Sequence, residues 1–561
     1  MSKNISKLLG RKGLADNLFE KIKVGGETAA LADHFLVGKS TIEGSESFYE
    51  FLDAKHQGKA AWVCEGTACM CSGNMEETRA SLASQLGEDK VGSMICLGHC
   101  YEANAFHYAG QNFSGKDVNR PLSDLLKGGS HTEKSSRDQS GMNVRCVSRT
   151  QFLTGQDFDS LEQFSDALST LFSRTTLDSL TEIKKSGLRG RGGAGFPTGI
   201  KWESCLLVES DIKYVVCNAD EGDPGAFSDR YLMEQQAQRV IFGMLVAGWI
   251  IGSKEGVIYI RAEYPDSIRI ILDTLSALRH GGLLGLNILN SGFDFDIKVV
   301  KGAGAYICGE ETALIASIEG RRPEVDVRPP FPTNEGLYKK PTVLNNVESF
   351  AAIEQILVRG GDAYAAMGSA ASCGTKLVSL DAGFVNPGLL EVEMGMPLSA
   401  LIHTHGGGFK QETKALHIGG PLGGLVPVSK IETLTLDYET FDNAGFLLGH
   451  ASIVCVPETF PMVKFLAHLF EFTAAESCGK CFPCRIGSVR GKEMFTAAIT
   501  EKRLMDRDLL NDLLDTLEQG SLCALGGGLP LPIKNALQYF EAELSAYFQP
   551  VQERISLRDL S

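Results

Sequence analysis

The sequence has no apolar run long enough to cross a bilayer. Its longest, Val240 to Gly252, stops at Ser253-Lys254-Glu255, and a spanning helix needs about 20 residues. It is also short of positive charge, with 54 Lys plus Arg against 69 Asp plus Glu and a formal net charge of −15. That excludes nucleic acid as an expected main partner, because phosphate contacts need clustered cations. The N-terminus lacks a secretory apolar core. There is no sustained heptad and no fixed-period repeat, which excludes coiled-coil and solenoid architectures. At 43% hydrophobic and 22% charged residues, the chain is too apolar for intrinsic disorder. The expected location is the cytoplasm, or the inner face of the membrane as a peripheral protein. The 15 cysteines are expected to be reduced there.

What is abundant is clustered cysteine and glycine. Near the C-terminus, Cys478, Cys481 and Cys484 recur at every third residue, and Cys523 follows at a distance. Four thiolates split three plus one suit a 4Fe–4S cluster. Zinc is the alternative, but structural zinc sites usually pair their ligands as two C-x2-C knuckles. Near the N-terminus, Cys64 with Cys69 and Cys96 with Cys100 form two pairs, one for each iron of a 2Fe–2S cluster. Two zinc-type pairs are again the alternative. Cys71 is a spare thiol beside the site, and His99 is read as a hydrogen-bonded side chain. Cys146, Cys205, Cys217, Cys308, Cys373 and Cys455 are isolated and read as small core hydrophobes.

The chain contains 62 Gly, and three clusters of them form candidate ligand loops. GLRGRGGAGFPTGIKW, residues 187–202, lets backbone N–H groups approach an anion, and Arg189, Arg191 and Lys201 add positive charge. VKGAGAYICGEET, residues 300–312, follows an expected strand and opens a helix, the geometry of a phosphate or flavin site. CNADEGDPGAF, residues 217–227, ends a strand where open α/β sheets bind ligands.

At about 150 residues per domain the chain should hold three or four domains. A polar Gly/Ser-rich stretch, Lys127 to Gly141, marks a linker. Before it, a small mixed α/β unit is expected, with a helix over residues 45–57 and strands at AAWVC, KVGSMIC and NAFHYAG. After it, residues 156–188 and 231–251 read as helical. Strands at 214–217, 256–260 and 295–300 alternate with helices and imply a parallel sheet. Residues 376–456 read as short strands and turns, and the remainder as a helical bundle.

Taken together, the three loops, RPPFPTNEGLYKKPTVLNNVESF and ESCGKCFPC closely resemble one family. It is the NADH-oxidising, FMN-binding 51-kDa-type subunit of respiratory complex I, with its soluble relatives in NAD-linked formate dehydrogenases and hydrogenases. Residues 1–126 resemble the thioredoxin-like 2Fe–2S domain of the 24-kDa-type partner, fused in front. The resemblance implies a multidomain α/β chain. After the linker at 127–150 would come a Rossmann-like FMN- and NADH-binding domain at 151–373, a ubiquitin-like SLBB-type domain at 374–457, and a helical 4Fe–4S domain at 458–561.

By the same resemblance, FMN would contact Gly190, Arg191, Gly192, Lys201, Asn218, Asp220, Glu221, Tyr306, Gly309, Glu310, Asn345 and Asn346. The adenine of NADH would lie against Phe196 and Phe331, near Glu311 and Asp223. Glu221 and Glu311 are the candidate catalytic carboxylates, Glu221 as a tuner of flavin charge. Ser204 stands where the family carries another aromatic, and Asp223 where complex I relatives prefer Glu.

NADH gives two electrons as a hydride and iron–sulfur clusters take one at a time, so a flavin must stand between them. The expected protein is an NAD(H)-linked diaphorase subunit working with other redox subunits. A formate dehydrogenase or NAD-reducing hydrogenase is the favoured assembly. A bifurcating enzyme, a complex I subunit and a non-catalytic zinc or iron–sulfur scaffold are the alternatives.

Overall fold

The computed structural model describes residues 14, 16–53, 56, 58–114 and 141–550, so most of the expected linker lies outside the described residues. The first sheet contains β1 (Ala61–Cys64), β2 (Val91–Met94), β3 (Phe106–Tyr108) and β4 (Gln111–Phe113), in the order β2-β1-β3-β4. β1 and β2 are parallel, and the other pairs are antiparallel. Helices Thr67–Ser72 and Met75–Leu86 make the crossover from β1 to β2.

Of the helix expected over 45–57, only Ser45 and Glu46 are helical among the described residues, and residues 54, 55 and 57 lie outside them. Helix Lys39–Glu46 ends first, and residues 47–53 form turns. The backbone N–H groups of Glu50 and Phe51 donate to Gly304 and Ala303 O, so the second glycine loop captures this stretch. The preceding helices do not cover the first sheet. Leu18, Phe19, Leu31, Phe35 and Ile42 instead share a core with Tyr214, Val216, Val257, Tyr259 and Val300 of the central sheet.

β5 (Val144–Cys146) falls inside the segment expected to be linker. The central sheet follows, with β6 (Tyr214–Ala219), β7 (Glu255–Ile260), β8 (Asp296–Lys301) and β9 (Thr342–Asn346), ordered β8-β7-β6-β9 and parallel throughout. The expected helix over 231–251 is two, Ser228–Gln235 and Ala237–Ile251, broken at Gln236. The second contains most of the longest apolar run and is buried almost all round, which explains that run by packing inside a large domain. No helix among the described residues is long and apolar enough to cross a membrane.

The third sheet contains β10 (Thr375–Leu380), β11 (Gly388–Glu393), β12 (Thr413–Ile418), β13 (Gly424–Pro427) and β14 (Ser452–Pro457). Its order is β13-β12-β14-β10-β11-β5. The end of the expected linker is thus an edge strand, paired parallel with β11. Glu391 fixes the chain beyond it, accepting from the N–H groups of Phe152, Leu153 and Thr154 at 2.8, 2.9 and 2.9 Å. Lys376 on β10 and Glu348 on helix Val347–Arg359 form an ion pair, each side chain 0% exposed, that joins the second and third sheets' layers. Helices Met462–Glu476, Phe482–Thr500, Arg507–Gly520 and Pro530–Tyr539 are the longest that follow among the described residues.

Candidate functional site

Two groups of thiols converge. Cys64 ends β1, Cys69 sits in the helix that follows, and Cys96 and Cys100 lie beyond β2. Cys96 and Cys100 Sγ are 3.3 Å apart, and the Cys64 thiol contacts those of Cys69 and Cys96. All four are buried. The N–H groups of Gly98 and Gly225 point at Cys96 and Cys100 Sγ, at 3.4 and 3.2 Å. Gly98 has φ +70°, and a Cβ there would stand 2.7 Å from Tyr264 Cε1, so the turn requires glycine. Burial and then Asp381 push the Cys71 thiol up, and Cys71 also interacts with Cys455 on β14. His99 stacks on Tyr101, and burial lowers its imidazole.

The second group is built on helix starts. Cys481 precedes helix Phe482–Thr500, Cys484 lies in its first turn, and Cys523 precedes helix Ala524–Gly528. Burial pushes the Cys484 thiol up to about 11, with Cys481 and Cys478 adding to it. The Cys523 thiol is pushed up to about 12, chiefly by burial, with Glu310, Cys478 and Cys484 also raising it. Arg322 Nη2 donates to Cys478 O at 3.1 Å.

The three glycine loops meet at the C-terminal ends of the parallel strands, where open α/β sheets form ligand crevices. Asn218 Nδ2 donates to Gly309 O at 2.8 Å, joining the third loop to the second. Tyr306 Oη donates to Asp223 Oδ1 at 2.6 Å. A Cβ on Gly222 would stand 2.6 Å from Tyr306 Cδ2, so these loops approach as closely as glycine allows. In the first loop, Gly190 N–H closes onto Phe196 O at 2.8 Å, and Gly192 lies against Asn346. Lys201 Nζ donates to Leu344 O at 3.1 Å and stands 3.8 Å from Glu311 Oε2. Glu311 also accepts from Arg328 Nη1 at 2.7 Å.

Phe196 in the first loop and Phe331 both stand in solvent, at 50% and 53% exposure. Two carboxylate oxygens, Asp220 Oδ2 and Glu310 Oε1, are buried with no hydrogen-bond partner among the described residues, with Arg328 Nη2 3.9 Å from the latter. The other Glu310 oxygen caps helix Glu311–Ile318. Unpartnered polar atoms in a glycine-lined crevice fit a polar ligand that supplies the missing donors.

Some expected contacts are committed elsewhere. The Arg191 guanidinium is buried; its Nη2 donates to Tyr364 Oη at 3.0 Å and to Cys373 O at 2.6 Å, while Nε and Nη1 have no hydrogen-bond partner among the described residues. Asn345 Oδ1 accepts from Trp202 Nε1 at 2.9 Å. Ser204 Oγ bonds its own helix, at Ile200 O. Glu221 accepts from the N–H groups of Asp229 and Arg230 at 2.9 and 3.0 Å, and from Tyr264 Oη at 3.2 Å. Beside it lie Asp229 and His450, whose ligand-capable atoms are within 4.8 Å of one another and of Glu221. Sequence reading missed His450, which carries no motif of its own.

The fold and the two thiol groups define a multidomain α/β protein with two thiol-rich sites around a glycine-lined crevice. Residues 183–355 match the model described as the Nuo51 FMN-binding domain. Residues 464–547 match the NADH-ubiquinone oxidoreductase-F iron-sulfur binding region. The chain is 43% identical over 385 residues to NADP-reducing hydrogenase subunit HndC of Solidesulfovibrio fructosivorans, covering 68% of this chain and 78% of that protein. It is 39% identical over 389 residues to the NADH-quinone oxidoreductase F 2 subunit of Rhizobium meliloti, covering 68% and 92%. Among solved structures, an NAD+-reducing NiFe-hydrogenase in the air-oxidized state contains a chain similar at TM-score 0.83 and 25% identity, over 97% of this chain and 95% of that one. The chain belongs to the family of NADH-quinone oxidoreductase F subunits and the related hydrogenase subunits.

Proposed function

We propose that this chain is the NAD(H)-oxidising flavin subunit of a larger oxidoreductase, passing electrons between NAD(H), FMN and iron–sulfur clusters. An NAD-reducing hydrogenase or NAD-linked formate dehydrogenase is the favoured assembly. The observation that carries this is the likeness to the NAD+-reducing hydrogenase chain along nearly the full length of both chains. We place the subunit in the cytoplasm, without membrane insertion.

FMN is the group we place in the crevice, whose buried carboxylate oxygens on Asp220 and Glu310 have no hydrogen-bond donor among the described residues. Gly190, Gly192, Lys201, Asn218, Asp220, Tyr306, Gly309, Glu310 and Asn346 would hold it, with Arg191, Glu221 and Asn345 acting through the loops they anchor. Phe196 and Phe331 would take the adenine, near Asp223 and Glu311. Cys478, Cys481, Cys484 and Cys523 fit a 4Fe–4S cluster. Cys64, Cys69, Cys96 and Cys100 fit a 2Fe–2S cluster in a thioredoxin-like unit, supported by the β2-β1-β3-β4 sheet. We read the third sheet as the ubiquitin-like domain.

When bound, the flavin converts a hydride into single electrons. The protein's part is placement. Tyr306 and Asp223 tie the second loop to the third, and Lys201 offsets the charge of Glu311. Holding donor and acceptor in fixed contact contributes several kcal/mol to such a reaction. The test is the composition of anaerobically purified protein and the identity of its co-purifying subunits. One FMN, two types of iron–sulfur centre and a second redox subunit are expected. A colourless chain with zinc in place of iron contradicts the reading.

A further inference from the structure

Three ionisable side chains, all buried, meet where the three glycine loops converge. Glu221 comes from the third loop, Asp229 from the helix it opens, and His450 from the turn before β14. His450 Nε2 lies 3.4 Å from Asp229 Oδ2 and 3.9 Å from Glu221 Oε1. Gly193 of the first loop packs on Gly449 and the His450 backbone. Asn346, at the end of β9, donates to Asp229 Oδ2 at 2.6 Å. Asp229 Oδ1 and both His450 ring nitrogens are otherwise buried without a hydrogen-bond partner among the described residues.

We propose that Glu221, Asp229 and His450 form a buried proton-exchange site at the flavin crevice, with His450 the positioning residue that keeps Glu221 able to ionise. The inference rests on the functional reading above and deepens it. A hydride carries two electrons and one proton from NADH, so its arrival adds one negative charge to the crevice. The site answers by taking one proton from solvent onto the Glu221 carboxylate; when the two electrons leave for the clusters, that proton and the one that arrived in the hydride both return to solvent.

The surroundings support this division of labour. Burial alone would lower the His450 imidazole, but Asp229, with help from Glu221, pushes it up to about 9, so it is cationic at neutral pH. Burial and Asp229 push Glu221 up to about 7, while His450 pulls it down. The other groups facing the site are Asp223 on the third loop, Lys376 with its partner Glu348, Tyr264 and Arg261 beside Glu221, and Cys217 near Asp229. Lys376 is already neutralised by Glu348, which leaves His450 as the cation in closest reach of both carboxylates.

The experiment is a redox titration of the bound flavin in the full holoprotein between pH 5.5 and 9, with iron–sulfur signals followed separately by EPR. The wild-type potential should show a bend near neutral pH, reporting an additional proton taken up with the electrons. His450→Gln removes the cation and should shift the bend to higher pH. His450→Lys, which returns a cation to the same place, should bring it back toward the wild-type pH. Loosened packing does not produce that recovery. A bend that stays in place in His450→Gln, or that His450→Lys does not bring back, overturns the inference while the flavin reading stands. A divalent ion bound in wild type and lost in His450→Gln also overturns it, because the three side chains would then be metal ligands. Wild-type holoprotein without flavin overturns both readings together.

Discussion

The Gly225 backbone N–H donates to Cys100 Sγ at 3.2 Å. Gly225 belongs to the loop that carries Asp220, Glu221 and Asp223, so one short stretch of chain is both a wall of the crevice and a hydrogen-bond donor to the N-terminal thiol group. A second tie runs beside it, where Arg230 Nη1 donates to Gly98 O at 2.8 Å. The two candidate redox sites therefore share backbone, and a change at the seam should be felt at both.

Gly98→Ala tests the seam. The substitution places a Cβ against Tyr264 in a left-handed backbone, a strain of about 1–3 kcal/mol. Iron analysis and thermal unfolding should show loss of the N-terminal centre and a lower midpoint, with the C-terminal centre's EPR signal retained.

Cys523→Ser tests the three-plus-one thiol group. The hydroxyl is a poor substitute for the thiolate, so the 4Fe–4S EPR signal should vanish while flavin absorbance stays. Ferricyanide, which can take electrons from the flavin, should still be reduced by NADH. Retention of the full 4Fe–4S signal would remove Cys523 from the ligand set.

Tyr306→Phe tests the clasp between the second and third loops. It deletes the 2.6 Å hydrogen bond to Asp223. A hydrogen bond to a charged acceptor contributes about 1.5–3 kcal/mol, so the Kd for FMN, read by fluorescence on reconstitution, should rise roughly tenfold or more.

Lys376→Met tests the joint between the central and third sheets. It leaves Glu348 charged, fully buried and without its partner. Breaking such a pair costs roughly 3–5 kcal/mol. Denaturant unfolding should show a loss of that size, and Lys376→Met with Glu348→Leu should recover much of it.

Acidity supplies a further check. Burial pushes the Asp381 carboxyl up to about 7, against about 3.9 in an unfolded chain. The folded protein holds this proton more tightly, so the stabilisation is complete below about pH 4 and is lost as pH rises through 7. The unfolding midpoint should fall between pH 5.5 and 8, and Asp381→Asn should shrink that fall.

Much of this was readable in the sequence because chemistry imposes spacing. The cysteine intervals are short and local, and glycine runs declare close backbone approach. The parallel sheet was legible from strands that alternate with helices. What escaped depends on distant partners. Three residues, Val144–Cys146, are too few for an alternating pattern, and only β11 makes them a strand. The turns at 47–53 carry a helical period, yet Ala303 and Gly304 capture their N–H groups. Arg191 sits in a loop that invites an anion, and the sequence does not show that Tyr364 and Cys373 take one of its three guanidinium nitrogens. His450 gains its setting only from Asp229 and Glu221, which lie more than two hundred residues earlier.

The most direct test of the central claim is an anaerobic titration of the purified holoprotein with NADH, followed by visible absorbance and EPR. The account predicts that the yellow flavin band bleaches as one-electron iron–sulfur signals appear, and that Cys478→Ser removes one of those signals without preventing the bleaching. A chain whose spectrum does not respond to NADH, although flavin and iron are bound, would contradict it.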